Sequence, residues 1–268
     1  MQKRNVLNFP RLSELKKQRQ KVFLSQVFLI GSIFIAVLVG LVYISRISRL
    51  NINAIEVVGN KVIDTEVIKQ VVENETSGKY VWLLPKTNIF FYPKNSIKQN
   101  LSSQFKRLKD IDVAIKDRNI LEIQVSEREP KYLWCGQEVH AEEKCSFLDE
   151  TGFIFDEAPY FSGEVYFKFY GKLPTDFARF ILFKQTLEVI GLKPAEVLIV
   201  ENGNVEIFLS GKSKPKVILN ESSDFQKIAE NLQAALTTEP LHSDFKNKYS
   251  SLLYLDLRYG NKVYFKFK

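Results

Sequence analysis

The chain has 268 residues, of which 38 are Lys or Arg and 31 are Asp or Glu, so its formal net charge at pH 7 is +7. Residues 1–21 hold seven basic residues and one acidic residue, whereas residues 45–268 are close to neutral. A domain that binds nucleic acid has its basic residues on the folded surface. The charge distribution therefore argues against a nucleic acid as the partner of residues 45–268.

Residues 22–44 contain no charged side chain. A transmembrane helix needs about 20 mostly apolar residues, so this segment predicts a single membrane span. The excess of Lys and Arg before the span marks the cytoplasmic end. We therefore predict a cytoplasmic basic tail over residues 1–21 and an extracytoplasmic body after residue 44. A cleaved signal peptide has an apolar core of about 7–15 residues followed by small residues, and Val42–Arg46 does not provide such a cleavage site.

Residues 45–130 are predicted to form a domain with the order strand, helix, helix, strand, strand. Asp64 or Thr65 can cap the first helix, and the second is expected from about Lys94 to Phe105. Residues 111–126 alternate between apolar and polar side chains on both sides of a turn at 117–119, which is typical of a hairpin with one buried face. Pro130 ends the last strand and marks a domain boundary.

Residues 131–268 are predicted to form a second domain with a mostly antiparallel sheet and two helices, from about Pro174 to Ile190 and from Ser222 to about Leu236. The whole extracytoplasmic part is therefore expected to belong to the α+β class. The last predicted strand, Lys262–Phe267, places three apolar residues on one side and lysines with Tyr264 on the other.

No sequence motif for catalysis or phosphate binding is present, so we predict no enzyme activity, catalytic residue, cofactor, metal or small-molecule substrate. The one tight cluster of reactive side chains is Cys135, His140 and Cys145. Zinc would lack a fourth ligand there, and the cysteines could also be unpaired core residues. A Cys135–Cys145 disulfide is favoured, because the domain is expected outside the cytoplasm.

Four short segments, in this order behind a membrane anchor, resemble the FtsQ/DivIB family of bacterial cell-division proteins. They are the strand Ile55–Asn60, the E-R-x-P ending of Leu121–Pro130, the D-x-x-G turn in Phe147–Gly152 and the D-L-R strand in Leu255–Tyr259. The resemblance covers nearly the whole chain. It implies a short cytoplasmic tail, a transmembrane helix, a POTRA domain of βααββ type and a larger β domain.

The resemblance also implies a scaffold at the division septum of the bacterial plasma (inner) membrane. Its members bind two other single-pass proteins, an FtsB/DivIC-like protein and an FtsL-like protein, by adding a partner strand to the sheet after the D-L-R strand. Carried over by position, the contact residues would be Arg258, Tyr259, Gly260, Val263, Tyr264 and Phe265. Tyr264 would be the natural anchor, because aromatic residues are enriched at interaction hot spots.

Two other hypotheses compete with the scaffold. A membrane-anchored enzyme acting on the cell wall or on exported polypeptides would need a cleft with convergent ionisable groups. A docking protein in secretion would normally combine POTRA domains with an outer-membrane barrel, and no series of ten-residue strands follows here. Lysines on an edge strand also have a purely protective explanation, because they discourage unwanted strand pairing.

Overall fold

The computed structural model describes residues 10–139, 144–211, 213–239 and 241–268. The chain divides into two compact units. The first unit comprises the chain up to Gln104 together with Asp110–Ser126, and the second comprises Phe105–Lys109 together with Glu127–Lys268. Helices and strands occur in both units, so the prediction of a mixed α+β protein is confirmed.

Helix α1 spans Pro10–Ser45. Its part from Lys16 to Ser45 is the one helix, among the described residues, that is long and apolar enough to cross a membrane, and none of its apolar window is buried in the protein. The prediction of a single N-terminal apolar helix is confirmed. The first part of the helix, before Val22, lies in the basic segment. That segment is helical because Lys, Arg and Gln are good helix formers.

The first unit continues after α1 with a short 3₁₀ turn at Ser48–Leu50. Its further elements are, in chain order, β1 (Ala54–Val58), α2 (Thr65–Thr76), β2 (Lys79–Tyr80), β3 (Leu84–Pro85), α3 (Lys94–Gln104), β4 (Leu108–Lys116) and β5 (Ile120–Glu127). Strands β1, β5 and β4 form a sheet in that order, with β1 parallel to β5. Strands β2 and β3 form a separate small hairpin.

Local sequence explains these elements. The Asp64 carboxylate accepts a hydrogen bond from the Glu66 backbone N–H at 2.7 Å and caps the start of α2. Ile68 and Val72, four residues apart, are fully buried on one side of α2. The alternation along β5 buries Leu121, Ile123 and Val125 and leaves Gln124 exposed.

The second unit is built on a nine-stranded sheet. Its elements are, in chain order, β6 (Tyr132–Trp134), β7 (Ser146–Leu148), β8 (Ile154–Glu157), β9 (Phe167–Gly171), α4 (Phe177–Val189), β10 (Pro194–Ile199), β11 (Asn204–Leu209), β12 (Lys216–Asn220), α5 (Phe225–Leu236), α6 (Leu241–Lys248), a 3₁₀ turn (Tyr249–Ser251), β13 (Leu252–Tyr259) and β14 (Lys262–Phe267). The strand order is β14-β13-β12-β11-β10-β9-β6-β7-β8.

The sheet is mostly antiparallel, as predicted, but three neighbouring pairs are parallel: β9 with β10, β12 with β13, and β6 with β9. The first two parallel pairs are joined by helical connections, because a parallel pair needs a long crossover. Successive residues of a strand point to opposite sides of the sheet and belong to two separate cores. Val197 and Ile199 join the core beneath α4 and α5, whereas Leu198 packs against the smaller core around Cys135 and Tyr170.

The prediction of two helices in the second unit is wrong, because the described residues include a third, α6. This helix has only eight residues, and its apolar positions are Leu241 and Phe245. Leu241 is buried, and Phe245 packs against the main core. Two apolar positions four residues apart are too few for a periodicity test, so tertiary burial rather than local pattern identifies this helix.

Candidate functional site

The six residues predicted to bind a partner lie on one β-hairpin, formed by β13 and β14. Gly260, in the turn, has φ of +67°, a left-handed conformation that glycine adopts without strain. Arg258, Tyr259, Gly260 and Tyr264 are exposed, whereas the side chains of Val263 and Phe265 are half-buried. The hairpin therefore presents only part of the predicted set to solvent.

Strand β14 is an edge of the nine-stranded sheet. In the described part of the chain its one neighbour is β13, to which it pairs in antiparallel register. Alternate N–H and C=O groups of an edge strand point away from the sheet and can pair with another extended chain. The geometry that strand addition requires is therefore present at β14.

Two tyrosines form the exposed aromatic surface of this hairpin. Tyr259 is 57% exposed and Tyr264 is 48% exposed. Their ring centroids are 5.2 Å apart with an interplanar angle of 81°, an edge-to-face contact. We call Tyr259 and Tyr264 the tyrosine pair. Because each ring holds the other in place, the pair offers a large apolar contact area at a low cost in side-chain entropy.

Asp256 positions Arg258 beside the tyrosine pair. The Arg258 Nε and Nη2 atoms donate to the two carboxylate oxygens of Asp256 at 2.9 and 2.6 Å. Burial raises the pKa of the Asp256 carboxyl, but the hydrogen bonds from the side chain and backbone of Arg258 outweigh it, and the pKa lies below its ordinary value. The carboxylate stays ionised and fixes the guanidinium 5.8 Å from the Tyr259 ring centroid.

The other side of β14 faces the protein interior. Val263, Phe265 and Phe267 pack against the main core of the second unit. Phe265 and Phe267 are in edge-to-face contact at 5.8 Å. Phe265 thus contributes its side chain to the core, and only its backbone lies at the sheet edge. Substituting Phe265 would perturb folding as well as any interface.

Three lysines give the edge a positive charge. Lys262, Lys266 and Lys268 are exposed and alternate with the core-facing residues. Among the residues that the structure describes, no acidic side chain forms an ion pair with them. An uncompensated basic edge favours a partner segment with acidic residues, because opposite charges steer association and fix register. It also repels a second copy of the same edge.

The E-R-x-P and D-x-x-G segments meet in the second unit. The Arg128 guanidinium donates to the buried carboxylate of Asp149, and it also lies 4.1 Å from the Phe153 ring centroid. Gly152 has φ of +84°, and a Cβ atom there would lie 2.6 Å from the Phe177 ring. These contacts are internal, so the two segments stabilise the fold and take no part in the exposed surface at β14.

Cys135 and Cys145 are joined by a disulfide. His140, the third member of the predicted cluster, lies outside the described residues. The bridge closes a loop with a sequence separation of 10, and the two cysteines lie in the smaller core. Cys135 directly follows β6 and Cys145 directly precedes β7. The bridge therefore ties the end of one strand to the start of the next.

Removing this disulfide should lower the free energy of unfolding by about 2–3 kcal/mol, because an open loop gains conformational entropy in the unfolded chain. We expect this loss for the Cys135→Ala, Cys145→Ala double variant in urea denaturation. A thiol reductant should produce a similar loss in the native chain and none in the double variant. Equal stability of the native and double-variant chains under oxidising conditions would contradict a stabilising role.

One of several cavities with ionisable groups in the second unit lies at α4, α5 and α6. It has a volume of about 780 Å³ and is lined partly by Lys193, His242 and Tyr249, with mainly apolar residues of α4, α5 and α6 around them. His242 Nδ1 lies 2.9 Å from the Leu236 carbonyl oxygen. No carboxylate is among the described lining residues of this cavity, whereas a second cavity of about 470 Å³ is lined partly by Glu164, Glu196, Lys168 and Lys214. The described residues contain no group of three potential metal ligands.

A comparison of the chain with protein-family models and with curated proteins gives no match. The resemblance therefore rests on the four segments quoted above. Sequence reasoning found the hairpin but did not identify Asp256 as the partner of Arg258. The available signal was their spacing of two, which places both side chains on the same side of a strand.

Proposed function

We propose that this protein is a single-pass membrane scaffold of the bacterial division machinery, similar to the FtsQ/DivIB family. It binds an FtsB/DivIC-like protein and an FtsL-like protein by strand addition at β14. It is not an enzyme in this proposal, and its first unit corresponds to a POTRA domain. The order of an apolar helix, a small α+β unit and a larger sheet unit supports the proposal.

The proposed membrane placement is supported by α1 and its flanks. The part of the helix from Lys16 to Ser45 is long and apolar enough to span a membrane, and none of its apolar window is buried in the protein. The excess of basic residues before the apolar run favours a cytoplasmic N-terminus. The two units then lie on the outer side of the plasma membrane, and the septum is the place where division scaffolds act. The Cys135–Cys145 disulfide is consistent with an extracytoplasmic environment.

The observation on which the binding proposal depends is the unpaired outer side of β14 beside the tyrosine pair. An added strand would gain main-chain hydrogen bonds along β14, and the tyrosines would supply the apolar contact that specifies the partner. Lys262, Lys266 and Lys268 would favour an acidic partner segment. Both features lie at the same edge, so a single extended segment can use them together.

The test is co-purification of the detergent-solubilised full chain with the FtsB/DivIC-like protein of the same organism. The Tyr259→Ala, Tyr264→Ala double variant should lose about 2–4 kcal/mol of binding free energy, as expected for hot-spot residues, which is roughly a 30- to 1,000-fold weaker complex. The matched control is Tyr160→Ala, because Tyr160 is 83% exposed and lies outside the hairpin. Unchanged binding of the double variant would refute the assignment of the site.

A cellular test addresses the wider function. Depletion of the protein should give filaments or unseparated chains of cells, and the native gene should restore division while the double tyrosine variant should not. Normal cell shape during depletion would rule out an essential role in division.

A further inference from the structure

The first unit exposes five apolar side chains on two segments of the chain that lie close together in sequence. Val81, Trp82 and Leu83 form the tip of the β2–β3 hairpin, and Phe90 and Phe91 follow β3. Trp82 is 90% exposed and Phe90 is 71% exposed. We call these five residues the loop patch. Neighbouring exposed residues of this size and apolarity are unusual on a soluble surface and mark a site of contact.

Residues next to the loop patch are hydrogen-bonded to the end of α1 and to the segment that follows it, and one of these bonds is buried. The Nδ2 atoms of Asn88 and Asn51 donate to the carbonyl oxygen of Ser45, the last residue of α1, at 3.1 and 2.9 Å. The Ile89 backbone N–H donates to the Leu50 carbonyl oxygen at 3.0 Å. Asn88 and Ser45 are both buried. The loops therefore stay beside the point at which the apolar helix ends.

Two residues at the hairpin tip adopt positive φ angles although neither is glycine. Val81 has φ of +45° and Trp82 has φ of +62°. Left-handed backbone is unfavourable for L-residues and especially for β-branched ones such as valine. Glycine or asparagine would form this turn more easily. Because valine and tryptophan are unfavourable for this turn, their presence suggests that the side chains serve a purpose other than forming it.

The chain segments that contain and flank the loop patch carry only basic charged residues. The segments 45–55 and 77–93 contain Arg46, Arg49, Lys79 and Lys86 and no acidic residue. The Lys86 ammonium lies 5.9 Å from the Tyr80 ring centroid, beside the hairpin. Aromatic and aliphatic side chains next to basic ones suit the headgroup region of a bilayer that contains anionic phospholipids.

We propose that the loop patch inserts into the outer headgroup region of the membrane that α1 spans. The inference rests on the proposed membrane placement of α1. Tryptophan and phenylalanine partition into this region because it accommodates their apolar rings. The loops would then be fixed both to the end of α1, by hydrogen bonds, and to the lipid, by insertion. The first unit would therefore keep one orientation relative to the bilayer.

The test uses the intrinsic fluorescence of the full chain in nanodiscs of phosphatidylcholine and phosphatidylglycerol. The chain has two tryptophans, so Trp134→Phe leaves Trp82 as the sole reporter. In brominated phospholipids we expect Trp82 to lose most of its emission, and in ordinary lipid we expect emission at shorter wavelength than for tryptophan in water. A Trp82 that brominated lipid leaves unchanged and that aqueous iodide quenches would overturn the proposal.

The matched control places a tryptophan at Val62, in a chain with Trp82→Phe and Trp134→Phe. Val62 is exposed, follows β1 and lies outside the segments 45–55 and 77–93. Val62→Trp should be quenched by iodide and not by brominated lipid. Equal quenching of both positions by lipid would overturn a specific insertion of the loop patch.

Flotation of the same samples measures whether the chain is in the bilayer at all. It therefore tests the placement of α1 separately from the insertion of the loop patch. A chain that floats with the bilayer but has a water-exposed Trp82 refutes only the insertion. A chain that stays out of the bilayer refutes the placement of α1, and the insertion with it. Binding at β14 is measured separately and is not altered by either result.

Discussion

Replacing Gly171 with alanine should strongly destabilise the second unit. A Cβ atom at Gly171 would lie 2.0 Å from the carbonyl oxygen of Ile199, its partner in the parallel β9–β10 pair. The residue also has φ of +74°. Because the obstructing atom is backbone inside the sheet, neither strand can move without breaking the pairing. We expect a loss of about 4 kcal/mol or more, a large part of a typical domain's stability.

The control for this prediction is Gly203→Ala. Gly203 has a similar φ of +83°, but the nearest atoms to an added Cβ, in the Asn220 side chain, are 3.7 Å away. This variant should lose only the backbone preference, about 1–2 kcal/mol. Urea denaturation of the solubilised full chain, followed by circular dichroism, measures both. Similar losses for the two variants would show that the contact with Ile199 is not the cause.

Replacing Asp149 with alanine should cost about 3–5 kcal/mol of stability in the second unit, because it leaves the Arg128 charge unpaired in a largely buried position. The Asp149 side chain is fully buried. Its carboxylate accepts hydrogen bonds from the Thr151 backbone N–H at 2.8 Å, the Thr151 hydroxyl at 2.6 Å and the Phe153 backbone N–H at 3.0 Å. One side chain therefore holds the turn and the arginine together.

The matched control is Glu150→Gln, at the next residue. Glu150 pairs with Lys109 at 2.7 Å, but both side chains are about half exposed. Removing an exposed pair should change the free energy of unfolding by about 1 kcal/mol or less. If Glu150→Gln were as damaging as Asp149→Ala, burial would not be the reason for the large effect at Asp149.

The Asp149 prediction has a pH dependence with a definite sign. Burial raises the pKa of the Asp149 carboxyl, but hydrogen bonds from Thr151, the Phe153 N–H and Arg128 outweigh it and bring the pKa below the ordinary value of 3.8. The stabilisation is then complete above pH 3.8 and is lost as the pH falls through the lower folded-state pKa. When the free energy of unfolding is measured at decreasing pH, the native chain should lose the stability that the ionised Asp149 provides. The Asp149→Ala variant should not show this loss.

Much of the fold could be predicted because its elements repeat a simple pattern. The uncharged run from Val22 to Ile44 predicts α1, and the alternation in Lys262–Phe267 predicts a strand with one buried side. Strand β8, Ile154–Glu157, cannot be predicted from the pattern, because four residues are too short for a period to show. The first unit's loop patch was missed because a run such as Val81–Leu84 also suits a buried strand, and only its exposure distinguishes the two.

Periodicity, charge and length by themselves determined the apolar helix, the positions of most strands and the hairpin on which the candidate interface lies, because these properties depend on neighbours along the chain. Tertiary structure alone decided that β14 is an edge, that Tyr259 meets Tyr264, that Arg128 meets Asp149, and which strands pair in parallel. These contacts join residues through space, and their energies depend on burial, which local sequence does not specify.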